Sequence, residues 1–276
     1  MNIEELLYAI NQLLPIDSAL KGDKVGLQIQ SNNYNYKKLL ITMEITEEVI
    51  EEAVHNSCPC IVTFHPLIFT PLSEISQEER VGSLSYKLIK NDISIVSVHT
   101  TYDTSPFGNN KYLADLFELR NLNILKSNGD STQYGMGIIG ELPIAYSNDE
   151  FVKLCSEKFQ SPIRSNAGIK SDKINKVAIV GGSGSSYLPD VIKSDADAFI
   201  TADLTYHIFH SVGEKLLLID PGHYEMEQFI SKNLADNMKN SKYFSEIEII
   251  RSRVYTNPIM YYPNKKFNEM QKNLIN

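Results

Sequence analysis

Three short apolar runs constrain this chain most. Ile61 to Phe64 ends in His65-Pro66, Ile93 to Val98 ends in His99, and Leu216 to Asp220 ends in Pro221-Gly222-His223. Short apolar runs closed by breakers read as strands buried on both faces. Pro66 has no N–H for a ladder, so it ends the strand it follows. Helical spacing fills the gaps. Ile3, Leu6, Leu7, Ile10, Leu13 and Leu14 share one face until Pro15; Lys38 to Met43 reads as a strand; Thr46 to Ala53, with Thr46 as N-cap, reads as a helix. Helices over 77–90 and 111–117 continue the alternation. A β-α-β-α order predicts an α/β fold with mainly parallel, layered sheets. In such sheets ligands sit beyond the C-terminal strand ends, which is where these histidines fall.

A polar, turn-rich break covers residues 121–133, followed by a second set of elements: helices over 150–159 and 188–194, strands over 177–180, 198–201 and 216–220. Two α/β lobes are expected. Residues 1–125 with 215–276 would form a metal-binding lobe and 126–214 the other, with the site at strand ends between them. The polar tail after Pro263 is expected to be a loosely docked helix.

The net charge is −8 and no Lys/Arg-rich run occurs, which argues against nucleic acid as the main partner. Three cysteines, Cys58, Cys60 and Cys155, fit a reducing compartment better than a disulfide scaffold. Cys58-Pro59-Cys60 is too tight for a metal knuckle and reads as two small residues entering a strand. The N-terminus has no basic region before its apolar positions and reads as an amphipathic helix, not a signal peptide. No apolar run approaches the roughly 18 residues that span a bilayer. A cytoplasmic protein that does not engage a membrane is expected.

His65, His99, Asp103, His223 and Glu227 gather at or just after strand ends. Imidazole with carboxylate suits Zn, Mn, Fe or Ni rather than Ca. His223 and Glu227 are four apart on a predicted helix, so both can face one ion. Each residue also has a plainer explanation. A strand-end histidine can be a satisfied structural group, a His–Glu pair at this spacing can be a solvated ion pair, and Asp103 before Thr104-Ser105-Pro106 can be a turn residue. The run Gly181 to Ser186 follows a strand, and Gly182, Ser183 and Gly184 could present backbone N–H groups to phosphate. It matches neither a Walker loop nor a complete dinucleotide fingerprint, and a tight strand-to-helix turn explains it equally.

Five segments together carry a resemblance: DKVGLQIQ at 23–30, TFHPLIF at 63–69, HTTYDTSPFGNN at 99–110, VAIVGGSGSSYL at 177–188 with ITADLTYHIFH at 200–210, and IDPGHYEMEQ at 219–228. The chain resembles the dinuclear-metal-centre hexameric proteins, bacterial relatives of the yeast NGG-interacting factor. Members often go by the name of GTP cyclohydrolase 1 type 2 homologues. The resemblance implies a pair of ions: His65 and Asp103 on one, His223 on the other, Glu227 bridging. His99 matches a histidine beside the site, as a ligand or as an orienting group. The family's strand-end motif is His-His-Pro with both histidines as ligands. Phe64 replaces the first here, so one or two divalent ions per chain are expected, the second weakened. Asp23 and Gly26 match a loop near the site, with Lys24 in place of asparagine. Glu44 stands where relatives carry aspartate. His207 lies in a segment like the family's "TGD…H", with Ala202 replacing glycine.

Such a site implies a metal-dependent hydrolase in which activated water attacks a nucleotide or related small molecule, with His99 or His207 moving protons. The alternative is a non-enzymatic metal-binding, regulatory or scaffold protein with a depleted site. The resemblance also implies a homo-hexamer, for which VYTNPIMYYP at 254–263 could supply an interface.

Overall fold

A computed structural model of the protein describes residues 1–32, 35–129 and 131–262. In chain order its elements are α1 (Ile3–Leu13), β1 (Gly26–Ile29), β2 (Lys38–Thr42), α2 (Glu47–His55), β3 (Cys60–Thr63), α3 (Arg80–Lys90) and β4 (Ser94–Ser97). Next come α4 (His99–Asp103), α5 (Asn109–Leu116), β5 (Arg120–Ser127), β6 (Gly135–Tyr146), α6 (Asn148–Phe159), β7 (Arg164–Ser165) and β8 (Ile174–Ser183). The rest are α7 (Leu188–Lys193), β9 (Ala198–Ala202), α8 (Tyr206–Ser211), β10 (Leu217–Asp220), α9 (His223–Glu227), α10 (Ile230–Lys239) and β11 (Glu248–Arg251). The expected tail helix after Pro263 lies outside the described residues.

The chain is a mixed α/β protein with two sheets, and it divides into two compact units. The first holds Met1–Tyr102 and Phe229–Met260; the second holds Asp103–Gln228 and takes up the chain again at Tyr261. These bounds differ from the expected 1–125 with 215–276 and 126–214, for a physical reason. α5 packs on β6 and β8, and β5 pairs with β6, so residues 103–125 join the second unit. β10 pairs with β9, and α9 packs on β8 and β9, which brings 217–227 there too.

In the first unit the strand order is β1-β4-β3-β2-β11. β11, β2, β3 and β4 are parallel; β1 closes one edge antiparallel. Val49, Ile50 and Ala53 of α2 and Leu84 and Leu88 of α3 cover one face, against Leu40, Ile61 and Ile95. α10 packs on β2 and β11. Burial on both faces explains why β2, β3 and β4 are continuous apolar runs. Thr46 caps α2 as expected, its hydroxyl accepting from Val49 N. The three cysteines are free and buried, and burial pushes the Cys58 thiol up to about 11.

The second sheet runs β5-β6-β8-β9-β10-β7. Only β8, β9 and β10 are parallel; β5, β6 and β7 pair antiparallel. The mainly parallel expectation therefore describes the first sheet and the centre of the second. The polar break expected over 121–133 holds β5, whose residues are exposed or half-buried and so lack an apolar run. Its core joins Leu113 and Ala114 of α5, Phe151, Cys155 and Phe159 of α6, and Met226 of α9 to Val177, Ile179, Ile200 and Ile219. Among the described residues no helix is long and apolar enough to cross a membrane.

Phe151 is fully buried in that cluster and touches the Phe117 and Tyr146 rings. Phe151→Ala is expected to cost about 3–5 kcal/mol, read as a lower urea midpoint with unchanged slope.

Candidate metal centre

In the first unit, register decides which side chains meet. Thr42 pairs with Thr63, and Thr63 with Ser97. Glu44, His65 and His99 each follow two residues later, so three parallel strands deliver them at one end of the sheet. Phe64 N and His65 N still donate to Thr42 O and Met43 O, at 3.0 and 2.9 Å, so Pro66 ends a ladder that runs to His65. His65 Nδ1 stands 3.3 Å from Glu44 Oε2, and Arg80 holds the other Glu44 oxygen at 3.1 Å. Burial would raise the Glu44 carboxyl; the hydrogen bond from His65 and the His65 and Arg80 charges outweigh it and lower it.

His99 opens α4 with a φ of 23°, in the left-handed region. Its Nδ1 lies 2.7 Å from Asp23 Oδ1. Asp23 also accepts from Lys24 N at 2.7 Å and Thr100 N at 3.2 Å, and bonds the Thr100 hydroxyl. The loop read as lying near the site thus supplies the carboxylate that holds His99. Phe64 is fully buried, its ring 4.9 Å from His65 and 5.4 Å from His99 between centroids. The His65 and His99 rings are 5.7 Å apart.

In the second unit, Ile179, Ile200 and Ile219 share one register. Gly182, Asp203 and His223 follow them by three, three and four residues. His223 opens α9 after Gly222, whose φ of 99° turns the chain from strand to helix. His223 Nδ1 is 2.6 Å from Asp203 Oδ2, and its Nε2 is 3.1 Å from Glu227 Oε2. Burial would lower the imidazole; the Asp203 and Glu227 hydrogen bonds and charges outweigh it and push it up to about 11. The His223 bond in turn lowers Asp203. Asp203 has a φ of 58°, which an aspartate tolerates better than most residues. Sequence reasoning singled out His207 in this segment and missed Asp203. His207 lies exposed on α8, its ring 5.5 Å from that of Tyr206. The signal for Asp203 was its place, directly after an apolar strand.

The donor chemistry fits a divalent cation. Ligand atoms about 2.0–2.2 Å from one tetrahedral ion stand roughly 3.3–3.6 Å apart, and His223 Nε2 and Glu227 Oε2, 3.1 Å apart, need only a small separation to share one. A Cβ on Gly182, φ 65°, would lie 2.5 Å from Glu227 Oε1 and 3.5 Å from His223 Nε2, so only glycine leaves this space open. Asp103 is buried in the same unit; burial raises the Tyr187 hydroxyl, and the Asp103 charge adds to it.

The glycine run is used differently from a phosphate loop. Gly181 N donates to Asn110 Oδ1 at 2.8 Å and Gly184 N to Thr201 Oγ1 at 2.8 Å. A Cβ at Gly184 would meet Thr201 Oγ1 at 2.5 Å. Gly182 and Ser183 finish β8, and Gly184 leads into a tight turn and a short α7. Close packing accounts for the glycines.

A family model described as Duf34/NIF3 (NGG1p interacting factor 3) matches residues 1–258. The chain belongs to that family. It is 30% identical over 262 residues to the GTP cyclohydrolase 1 type 2 homolog of Clostridium perfringens, covering 95% of this chain and 100% of that protein. The protein of the same name from Lactococcus lactis is 29% identical, over 94% and 98%. Among solved structures, a hypothetical protein from Staphylococcus aureus matches with a TM-score of 0.86 and 26% identity, over 95% and 99%.

Two outcomes follow. Asp23 is lowered from 3.8 to about 2: burial raises it, but the bonds from His99 and Thr100, the His99 charge and Lys24 N prevail. A depressed carboxyl stabilises the fold above its unfolded value and loses that contribution as pH falls through its folded one. Asp23→Asn is expected to lose about 1–3 kcal/mol at pH 7, with the gap to wild type closing between about pH 4 and 2 in urea titrations. Gly182→Ala should cost about 1–3 kcal/mol and displace Glu227, seen as weaker cobalt uptake by absorption.

Proposed function

We propose that the chain is a metal-dependent hydrolase-like protein acting in the cytoplasm on a nucleotide or related small molecule. The name of its relatives supports the nucleotide class. The observation that carries the reading is His223 held between two carboxylates, Nδ1 on Asp203 and Nε2 on Glu227, over a glycine that leaves the space clear. His65, Asp103, His223 and Glu227 would hold one or two ions of Zn, Mn, Fe or Ni, the assignment the family resemblance gives. When bound, such an ion supplies a Lewis acid that eases loss of a proton from water and offsets developing negative charge. Glu44 and Asp203 hold His65 and His223 by Nδ1 and turn each Nε2 the other way. His99, held by Asp23, is the group proposed to move a proton, and exposed His207 a second one.

A second reading has one observation in its favour. Phe64 is a fully buried ring, at the position where the family resemblance puts the first histidine of the pair. A site lacking that imidazole would bind metal without turnover, as a regulatory or scaffold protein. Homo-hexamer assembly is proposed with either reading, and light scattering giving a monomer mass would reject it.

Metal analysis of the purified protein, followed by incubation with GTP and Mn²⁺ or Zn²⁺, separates the readings. Formate release with bound metal supports the hydrolase; bound metal without turnover supports the alternative; no metal at all rejects both. Phe64→His is expected to raise stoichiometry towards two ions per chain. An unchanged count means that Phe64 does not occupy a ligand position.

A further inference from the structure

Asn109 is a buried polar group that the site described so far leaves unused. It is 1% exposed, and neither its Oδ1 nor its Nδ2 has a hydrogen-bond partner among the described residues. A buried amide of that kind is costly and calls for an explanation. Its neighbour shows the contrast. Asn110 Oδ1 accepts from Gly181 N at 2.8 Å and its Nδ2 donates to Asp103 O at 3.0 Å, bracing the Asp103 segment to β8.

Asn109 begins α5, an eight-residue helix whose N-cap is Gly108. No side chain caps this end and no acidic residue lies in its first turn, although residues 108–110 are all buried. The first N–H groups of a helix have no partner within it, and their partial positive charge favours an anionic oxygen. The Gly181-Gly182 dipeptide lies against both this side chain and Glu227. A Cβ on Gly181 would lie 2.3 Å from Asn109 Nδ2, and one on Gly182 would lie 2.5 Å from Glu227 Oε1. Consecutive Cα atoms stand about 3.8 Å apart, so one dipeptide touches both groups. α5 and α9 also share one core cluster through Leu113, Ala114 and Met226.

We propose that the N-terminus of α5, with Asn109 as its side-chain donor, receives a phosphoryl oxygen of the molecule bound at the His223–Glu227 cluster. The function assigned to the glycine run by sequence thus passes to a helix end whose donors are not consumed by packing. The Asp103 and Glu227 carboxylates repel a free anion, so a divalent cation strengthens the binding. That coupling rests on the metal reading; the phosphoryl contact itself does not.

Asn109→Leu, of similar shape, tests it, with Asn109→Ala as a guard against a steric clash at Gly181. Each variant's unfolding midpoint is measured without ligand, and pyrophosphate and acetate are titrated calorimetrically with and without Mn²⁺. An amide reserved for a ligand predicts that one variant or both fold at least as stably as wild type and bind pyrophosphate about tenfold to a hundredfold more weakly. If both variants are clearly destabilised, the amide is structural and the proposal falls. It falls equally if their pyrophosphate affinity matches wild type, if wild type binds no pyrophosphate in either condition, or if acetate binds as well as pyrophosphate. Failure of the metal reading shows separately, as absent Mn²⁺ uptake, and the metal-free titration still decides the phosphoryl contact.

Discussion

A carboxylate on Nδ1 of each strand-end imidazole is the interaction on which the candidate cluster of each unit depends. Glu44 holds His65, Asp23 holds His99 and Asp203 holds His223. An imidazole has two chemically distinct nitrogens, and a partner on one fixes the orientation of the other. Without it a strand-end histidine turns about χ1 and χ2 and presents either nitrogen. The pairs in turn depend on sheet register. Glu44 and His65 meet because Thr42 and Thr63 are level. Asp203 reaches His223 because β9 and β10 are parallel neighbours. A slip of one residue would send each carboxylate to the opposite face.

The parts legible in the sequence are those where one physical demand dominates. Strands β2, β3, β4, β9 and β10 are buried on both faces, so burial alone writes an apolar run and its end marks a candidate residue. β5 is an edge strand with mostly wet side chains, and nothing in its composition separates it from a loop. The unit boundary was misplaced for the same reason. Once β5 is read as a loop, α5 has no visible sheet to pack on, although Leu113 and Ala114 belong to the core of the second unit.

Site residues divide along a similar line. His65, His99, His223 and Glu227 stand out as candidates because their side chains carry ligand chemistry. Asp203 and Asp23 were harder, since an aspartate after a strand or in a loop is most often a turn former. The glycines misled because a missing side chain has two uses, exposing backbone N–H groups to a ligand or admitting a neighbour. At Gly181 and Gly184 the N–H groups go to Asn110 and Thr201, so the second use holds. Three-dimensional neighbours decide this, and local sequence does not contain them.

Charge explains how the two histidine environments differ. His223 has carboxylates on both nitrogens; burial would lower the imidazole, and the hydrogen bonds and charges of Asp203 and Glu227 outweigh it and push it up to about 11. A metal ion held there by His223 would take the place of the proton on Nε2, so its uptake would release a proton. His65 has one carboxylate, itself shared with Arg80, and on its other side the neutral ring of Phe64. Phe64 is buried at no electrostatic cost, whereas an imidazole in its place would need a partner of its own. The apolar ring brings neither a ligand atom nor the need for a group to hold one. The strong field lies at His223.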